Sequence, residues 1–206
     1  MNPEEIRTPE DVIKLFEEMG TEEVLEFRLH LDKETDRGCA LMAAAFLDEL
    51  LKELLQNTFV DDPDSYKDLF TGTGGLATFS SRIELSYLLG LIPPRLRRDL
   101  HIIRKIRNDF AHSMKIIDFN HPPIASRCRE LHYNIFKDQI PPRKAFNRVA
   151  FGVAGVINGA KRITKRMTMH DDIDFGSVEF QKGLEPVAKL MEFFHKYKQA
   201  QQSDEE

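Results

Sequence analysis

The sequence predicts an all-α protein, a single helical bundle with long central helices. Three observations lead there. Apolar residues recur at three- and four-residue intervals over most of the chain, and no segment alternates apolar and polar residues as a half-buried strand would. Pro-Pro pairs at 93–94, 122–123 and 141–142 punctuate these periodic stretches, and no fixed repeat links them.

The first predicted helix opens at Thr8, with Pro9 at the first helical position and Asp11 completing a capping box. Val12, Leu15, Phe16 and Met19 make its stripe, and Gly20 ends it. Thr21, Glu22 and Glu23 start a second helix that carries Val24, Leu25, Phe27 and Leu31. The strongest signal runs from about Asp36 to Phe59. There Cys39, Met42, Ala43, Phe46, Leu47, Leu50, Leu51, Leu54 and Leu55 keep helical spacing, as a central core helix requires. Ala43, Ala44 and Ala45 would let a neighbouring helix approach closely, and Asp61-Asp62-Pro63-Asp64 breaks the pattern.

A loop with Gly72, Gly74 and Gly75 follows. It lacks the Gly-Lys-Ser/Thr ending of a phosphate-binding loop and reads as a flexible connection. A helix is expected from about Thr78 to Leu91 with Phe79, Ile83, Tyr87 and Leu91 on one face, stopped by Pro93-Pro94. The next, from about Arg95 to His112, shows an apolar face of Leu96, Leu100, Ile103, Ile106 or Arg107, and Phe110. Further helices are expected after Pro122-Pro123, from about Arg143 to Asn158, and from about Ser177 to Gln201. The organisation predicted is one all-α domain over 1–206. Its core spans about 8–140, a C-terminal helical extension about 141–201, and a disordered tail 202–206.

Composition narrows the function classes. The 206 residues suffice for a substantial core, and no apolar run approaches the roughly 18 residues that span a bilayer. Only Cys39 and Cys128 are present, too few for a disulfide framework, and the N-terminus is acidic, so a cytoplasmic protein is expected. Charge is uneven. Residues 1–70 hold 19 acids against 7 Lys and Arg, a net −12, which leaves +7 on the rest of a chain whose total is −5. Between Gln139 and His170 there is no acid, while Arg143, Lys144, Arg148, Lys161, Arg162, Lys165 and Arg166 are basic. Lys161/Lys165 and Arg162/Arg166 form i,i+4 rows that could meet a polyanion such as a phosphate backbone, or the acidic half of the same chain. Gly152, Gly155 and Gly159 leave notches suited to close helix packing or a subunit contact.

The most suggestive chemistry sits at Arg107-Asn108-Asp109-Phe110-Ala111-His112. Asn108 and His112 share a helix face at i,i+4, whereas Arg107 and His112 lie about 140° apart around a regular helix. An Arg and a His brought together there can lock a helix end, or can hold an RNA phosphate and move its protons. Arg37, Asp36, Glu49, Arg82 and His112 could join one polar cluster between helices, with Arg107 and Asn108 beside it, since a buried Arg needs a partner. His121, Cys128 and His132 are the suggestive metal group, yet they offer one i,i+4 pair where structural zinc sites use paired motifs, so no metal and no cofactor are expected.

The Arg107 to His112 pattern resembles the Arg-x(4–6)-His motif of HEPN-superfamily domains, small helical bundles that often dimerise. In their active members the pair cleaves RNA without metal, and the resemblance would give His112 proton transfer and Arg107 phosphorane stabilisation. A broader resemblance spans roughly Asp36 to His132. Asp36-Arg37-Gly38-Cys39-Ala40-Leu41-Met42, then the block Gly75-Leu76-Ala77-Thr78-Phe79-Ser80-Ser81-Arg82-Ile83 and its continuation to Ile92, then Ile103 to His112, follow one another as in the mannitol operon repressor family. That resemblance implies a transcriptional repressor that works by binding. No helix-turn-helix is recognisable, so a homodimer acting through another protein, with at most nonspecific nucleic-acid contacts, is the expectation; a metal-independent endoribonuclease is the alternative.

Overall fold

In the computed structural model the described residues are 8, 10, 13–14, 21–134, 139–172 and 174–203, with side chains described through 195. The helix expected over Thr8–Gly20 and the end of the tail, from 204, fall largely outside them. Every regular element among the described residues is α-helical, in the order α1 Glu22–Lys33, α2 Asp36–Thr58, α3 Pro63–Phe70, α4 Phe79–Leu88, α5 Pro94–His112, α6 Pro122–Glu130, α7 Pro142–Ile163 and α8 Val178–Ser203. The chain divides into two compact units, 1–168 and 169–206.

Local chemistry sets the helix ends. Thr35 caps α2 by accepting from the Gly38 amide, Asp62 caps α3 through Ser65, and Thr78 caps α4 through Ser81. Pro occupies the first turn of α3, α5, α6 and α7, where a missing N–H costs nothing. The Asp61–Asp64 stretch, which reads as a break, is thus also the start of a short helix. Its far end leads into the glycine loop, where a Cβ on Gly74 would fall 2.2 Å from the Asp68 carbonyl oxygen. Helix α4 stops at Gly90, whose φ of +72° lets the Gly90 and Leu91 amides turn back onto the Tyr87 and Ser86 carbonyls.

The long apolar helix α2 is the hub of the first unit, packed against α1, α4, α5 and α7. Ala40, Ala43, Leu47, Leu51 and Leu54 are buried on it, as its periodicity requires. On α5 the inward set is Leu96, Asp99, Leu100, Ile103, Ile106 and Phe110, which assigns Ile106 rather than Arg107 to the core. Each fully buried Leu or Ile contributes about 1.5–3 kcal/mol relative to exposure. A ladder of rings, Phe110 to Phe119 at 5.1 Å and Phe119 to Phe146 at 5.0 Å, ties α5 to α7 through the segment between them.

Helix α7 is part of this core, not the beginning of an extension. Phe146, Val149, Ala150, Val153, Ala154 and Ile157 are buried on it, and it packs along both α2 and α1. Gly152, Gly155 and Gly159 face away from that seam, since a Cβ on any of them would meet nothing within 4 Å. They do not serve close packing against the described residues. In the second unit the Gln181 side chain bonds the Phe175 carbonyl, Phe175 meets Phe180 edge-on at 5.0 Å, and α8 continues through Pro186. No helix among the described residues is long and apolar enough to cross a membrane.

Candidate functional site

Helix α5 remains regular to His112, so Arg107 and His112 keep their angular separation. Both are exposed. Arg107 donates to Asn108 Oδ1 at 3.0 Å and lines a cleft of about 540 Å³ between α2, α4 and α5. His112 lines a different one, of about 500 Å³, with Asp109, Ser113, Lys115, His121 and Arg127. Asn108 is shared by the two clefts. Arg107 and His112 thus border different clefts on the two sides of Asn108.

The single polar cluster expected from Arg37, Arg82, Arg107, Asn108 and His112 is instead divided among separate places. Arg82 is 7% exposed and lies in the groove between α4 and the glycine loop. Its Nε donates to the Leu76 carbonyl at 2.8 Å, one terminal nitrogen to Asp48 at 2.8 Å, and the other to the Phe70 carbonyl at 3.2 Å. Its guanidinium also lies over the Phe70 ring, 5.7 Å from the centroid. Desolvation by burial raises the Asp48 carboxyl above the usual range in spite of the Arg82 charge beside it. Glu49 pairs with Lys52 on its own helix and takes no part.

Arg37 and Asp36 lock the start of α2. Arg37 donates to the Ser113 carbonyl at 2.8 Å, just beyond the end of α5. Asp36 accepts from the Phe119 amide at 2.9 Å and from Arg143 of α7 at 2.5 Å. Arg143 also bonds the Leu31 and Glu34 carbonyls, and so closes the α1–α2 turn. Asp109 pairs with Arg127, joining α5 to α6.

Asp99 is the polar group the sequence pattern missed. It is fully buried on α5 and accepts from the His132 amide at 2.8 Å, the Tyr133 amide at 2.9 Å and His132 Nδ1 at 2.9 Å. An acid three residues after Leu96 and four before Ile103, within the apolar stripe, was the available signal. With His132 committed to Asp99 and Cys128 buried in the core, His121, Cys128 and His132 do not gather as ligands. Among the described residues no group of three such side chains could hold a metal.

The basic end of α7 is largely engaged within the chain. Lys161 pairs with Glu53 at 2.6 Å and Arg166 with Asp61 at 2.8 Å, while Arg162 and Lys165 are exposed. The basic segment therefore meets the acidic half of the molecule at its upper end, as Arg143 does at the lower.

A second basic surface faces solvent on α5. Arg95, Arg98 and Lys105 are exposed along one stripe with Ile102 between them, and Arg98, Ile102 and Lys105 line an open cleft of about 700 Å³ with Arg97, His101, Glu130 and His132. Arg97 and His101 are both held by Glu84, at 2.7 and 2.6 Å. The Arg97 hydrogen bond is the main cause that holds Glu84 below the ordinary carboxylate range. No ion pair joins Arg95, Arg98 or Lys105 to another described residue.

Comparison with known proteins agrees with this architecture. A chain in the X-ray structure of the MtlR–HPr complex from Escherichia coli superposes with a TM-score of 0.56 at 20% identity, over 65% of this chain and 97% of that one. No curated protein matches the chain significantly. The family model described as "Mannitol repressor" matches residues 21–148, the stretch from α1 into α7 that holds all three clefts and the Arg82 and Asp99 locks. The chain belongs to the mannitol repressor family.

Proposed function

We propose that this protein is a non-enzymatic regulator of transcription that acts through a protein partner docked on the exposed face of α5, with an HPr-type protein as the first partner to examine. The observation that carries this reading is the α5 stripe. Arg95, Arg98 and Lys105 flank the half-buried Ile102 beside a wide cleft, and these charges are not engaged by ion pairs among the described residues. A row of such cations suits a partner with an acidic surface, because complementary charge speeds encounter and sets specificity. The fold shared with the MtlR–HPr complex supports a partner of that kind. The separation of Arg107 from His112 supports binding over RNA cleavage. A row of exposed side chains on α8, Leu184, Val187, Met191 and Phe194, has the spacing of a helix-pairing seam and supports the homodimer.

Titration calorimetry of the full chain with HPr tests the docking face. Arg98→Glu should weaken binding at least tenfold, and the effect should shrink in high salt. Unchanged affinity in that variant would remove α5 as the docking face. In parallel, labelled RNA incubated with the protein in EDTA should remain intact; cleavage abolished by His112→Ala would establish the endoribonuclease instead.

A further inference from the structure

We propose that the cleft between α2, α4 and α5 is a binding site for a small phosphorylated ligand. Its volume, about 540 Å³, falls in the range of pockets that take small molecules. Leu41, Ala44, Ala45 and Ala77 line it, and the three alanines leave space that is open and apolar. Arg104, Arg107 and Asn108 of α5 line it as well.

Four features converge on one chemistry. Arg104 and Arg107 both line the cleft, one helical turn apart on α5. The Arg104 Nε is shielded from solvent and has no hydrogen-bond partner among the described residues. Among the described residues Arg107 makes one hydrogen bond, to Asn108 Oδ1, which leaves most of its fork available. Thr78, the cap of the ten-residue helix α4, and Phe79 and Ser80, its first two residues, line the same cleft. Phe79 and Ser80 add first-turn amides and the Ser80 hydroxyl at the positive end of that helix, while the Thr78 hydroxyl is held by Ser81. The carboxylate present, Asp48, is neutralised by Arg82 at 2.8 Å. With that pair cancelling, the cleft carries the two charges of Arg104 and Arg107.

Paired guanidinium groups beside helix-terminal amides match the several oxygens of a phosphate, which accept from a fork and from amides at once. The Leu41, Ala44 and Phe79 wall selects for an apolar body attached to that group. The ligand class is therefore a phosphate monoester with an apolar body. This inference stands apart from the docking face, which uses Arg95, Arg98 and Lys105 of the same helix.

Phenyl phosphate is a suitable probe, with inorganic phosphate as the control that lacks the apolar body. Titration of the full chain, followed by calorimetry and by 31P line broadening, should show one saturable site. Phenyl phosphate should bind at least tenfold tighter than inorganic phosphate. Arg107→Gln, an exposed position whose loss does not disturb the core, should weaken it tenfold or more, and so should Arg104→Gln; Arg98→Gln should leave it unchanged. Absence of saturation, equal weakening by Arg98→Gln, or full affinity in Arg107→Gln would each overturn the assignment. Loss of HPr binding alone would bear only on the docking face.

Discussion

Replacing Arg82 with Met keeps most of the apolar stem of the side chain and removes the guanidinium with its charge and five donors. The structure gives the consequence. Asp48 loses its partner, and the carbonyls of Leu76 and Phe70 lose theirs in a nearly closed groove. Breaking one side of a buried ion pair costs about 3–5 kcal/mol, and the lower end of that range should hold here, because Arg82 is 7% exposed but the Asp48 side chain left behind is 28% exposed. Arg82→Lys can still reach Asp48 but cannot serve both carbonyls, so its loss should be intermediate, about 1–3 kcal/mol. Urea unfolding followed by circular dichroism reads both values from the midpoints. The sign of the pH dependence also follows. Asp48 titrates above the ordinary carboxylate range in the folded state, so folding favours its protonated form and the cost of the ionised form grows as pH rises through that window. Without Arg82 that cost is uncompensated. The gap between Arg82→Met and wild type should therefore be wider at pH 7 than at pH 4, and Asp48→Asn in the Met background should recover part of it. A loss below about 1 kcal/mol at pH 7, or a gap that widens on acidification, would refute the placement of this charge in the core.

Four further outcomes are expected. Asp99→Asn retains the volume of the side chain but replaces one acceptor oxygen by a donor facing an amide, and should cost about 2–4 kcal/mol by urea midpoint. His132→Ala removes only the ring contact and should cost under about 1 kcal/mol, because the two backbone amides still hold Asp99. The buried thiols give a second pH window: burial pushes Cys39 and Cys128 from 9.0 up to about 12. Folding holds each thiol protonated, so this contribution is complete below pH 9 and is lost as pH rises toward 12, up to about 4 kcal/mol per thiol. Alkaline unfolding monitored by circular dichroism should show the decline beginning above pH 9. Both thiols should resist a disulfide reagent at pH 8 until urea is added; rapid labelling of the native protein would contradict their burial.

The helices were legible because burial imposes their period. Residues Cys39 to Leu55 repeat on the inward face of α2, and capping residues such as Thr35 and Thr78 stand where the helices begin. What escaped the pattern was long-range polar pairing. Arg82 finds Asp48 across 34 residues and Arg143 finds Asp36 across 107, and no local rule couples such positions. The same limit applied to the Arg107–His112 motif. The spacing showed both residues on α5 but not that Asn108 divides two clefts between them. Asp99 escaped for another reason: an acid in an apolar stripe reads as an imperfection unless its amide partners, here 33 and 34 residues later, are known.

The central position of α7 has a consequence for synthesis. The ribosome makes α2 more than eighty residues before it makes α7, yet the seam of α2 against Phe146, Val149, Val153 and Ile157 is among the main contacts of the fold. A nascent chain ending before residue 142 exposes that seam, together with the unpaired carboxylate of Asp36, to whatever else is in the cell. The first unit is thus expected to mature late, after translation has passed Ile163. A truncation at 148, where the family match ends, cuts α7 within its second turn and leaves most of that seam uncovered.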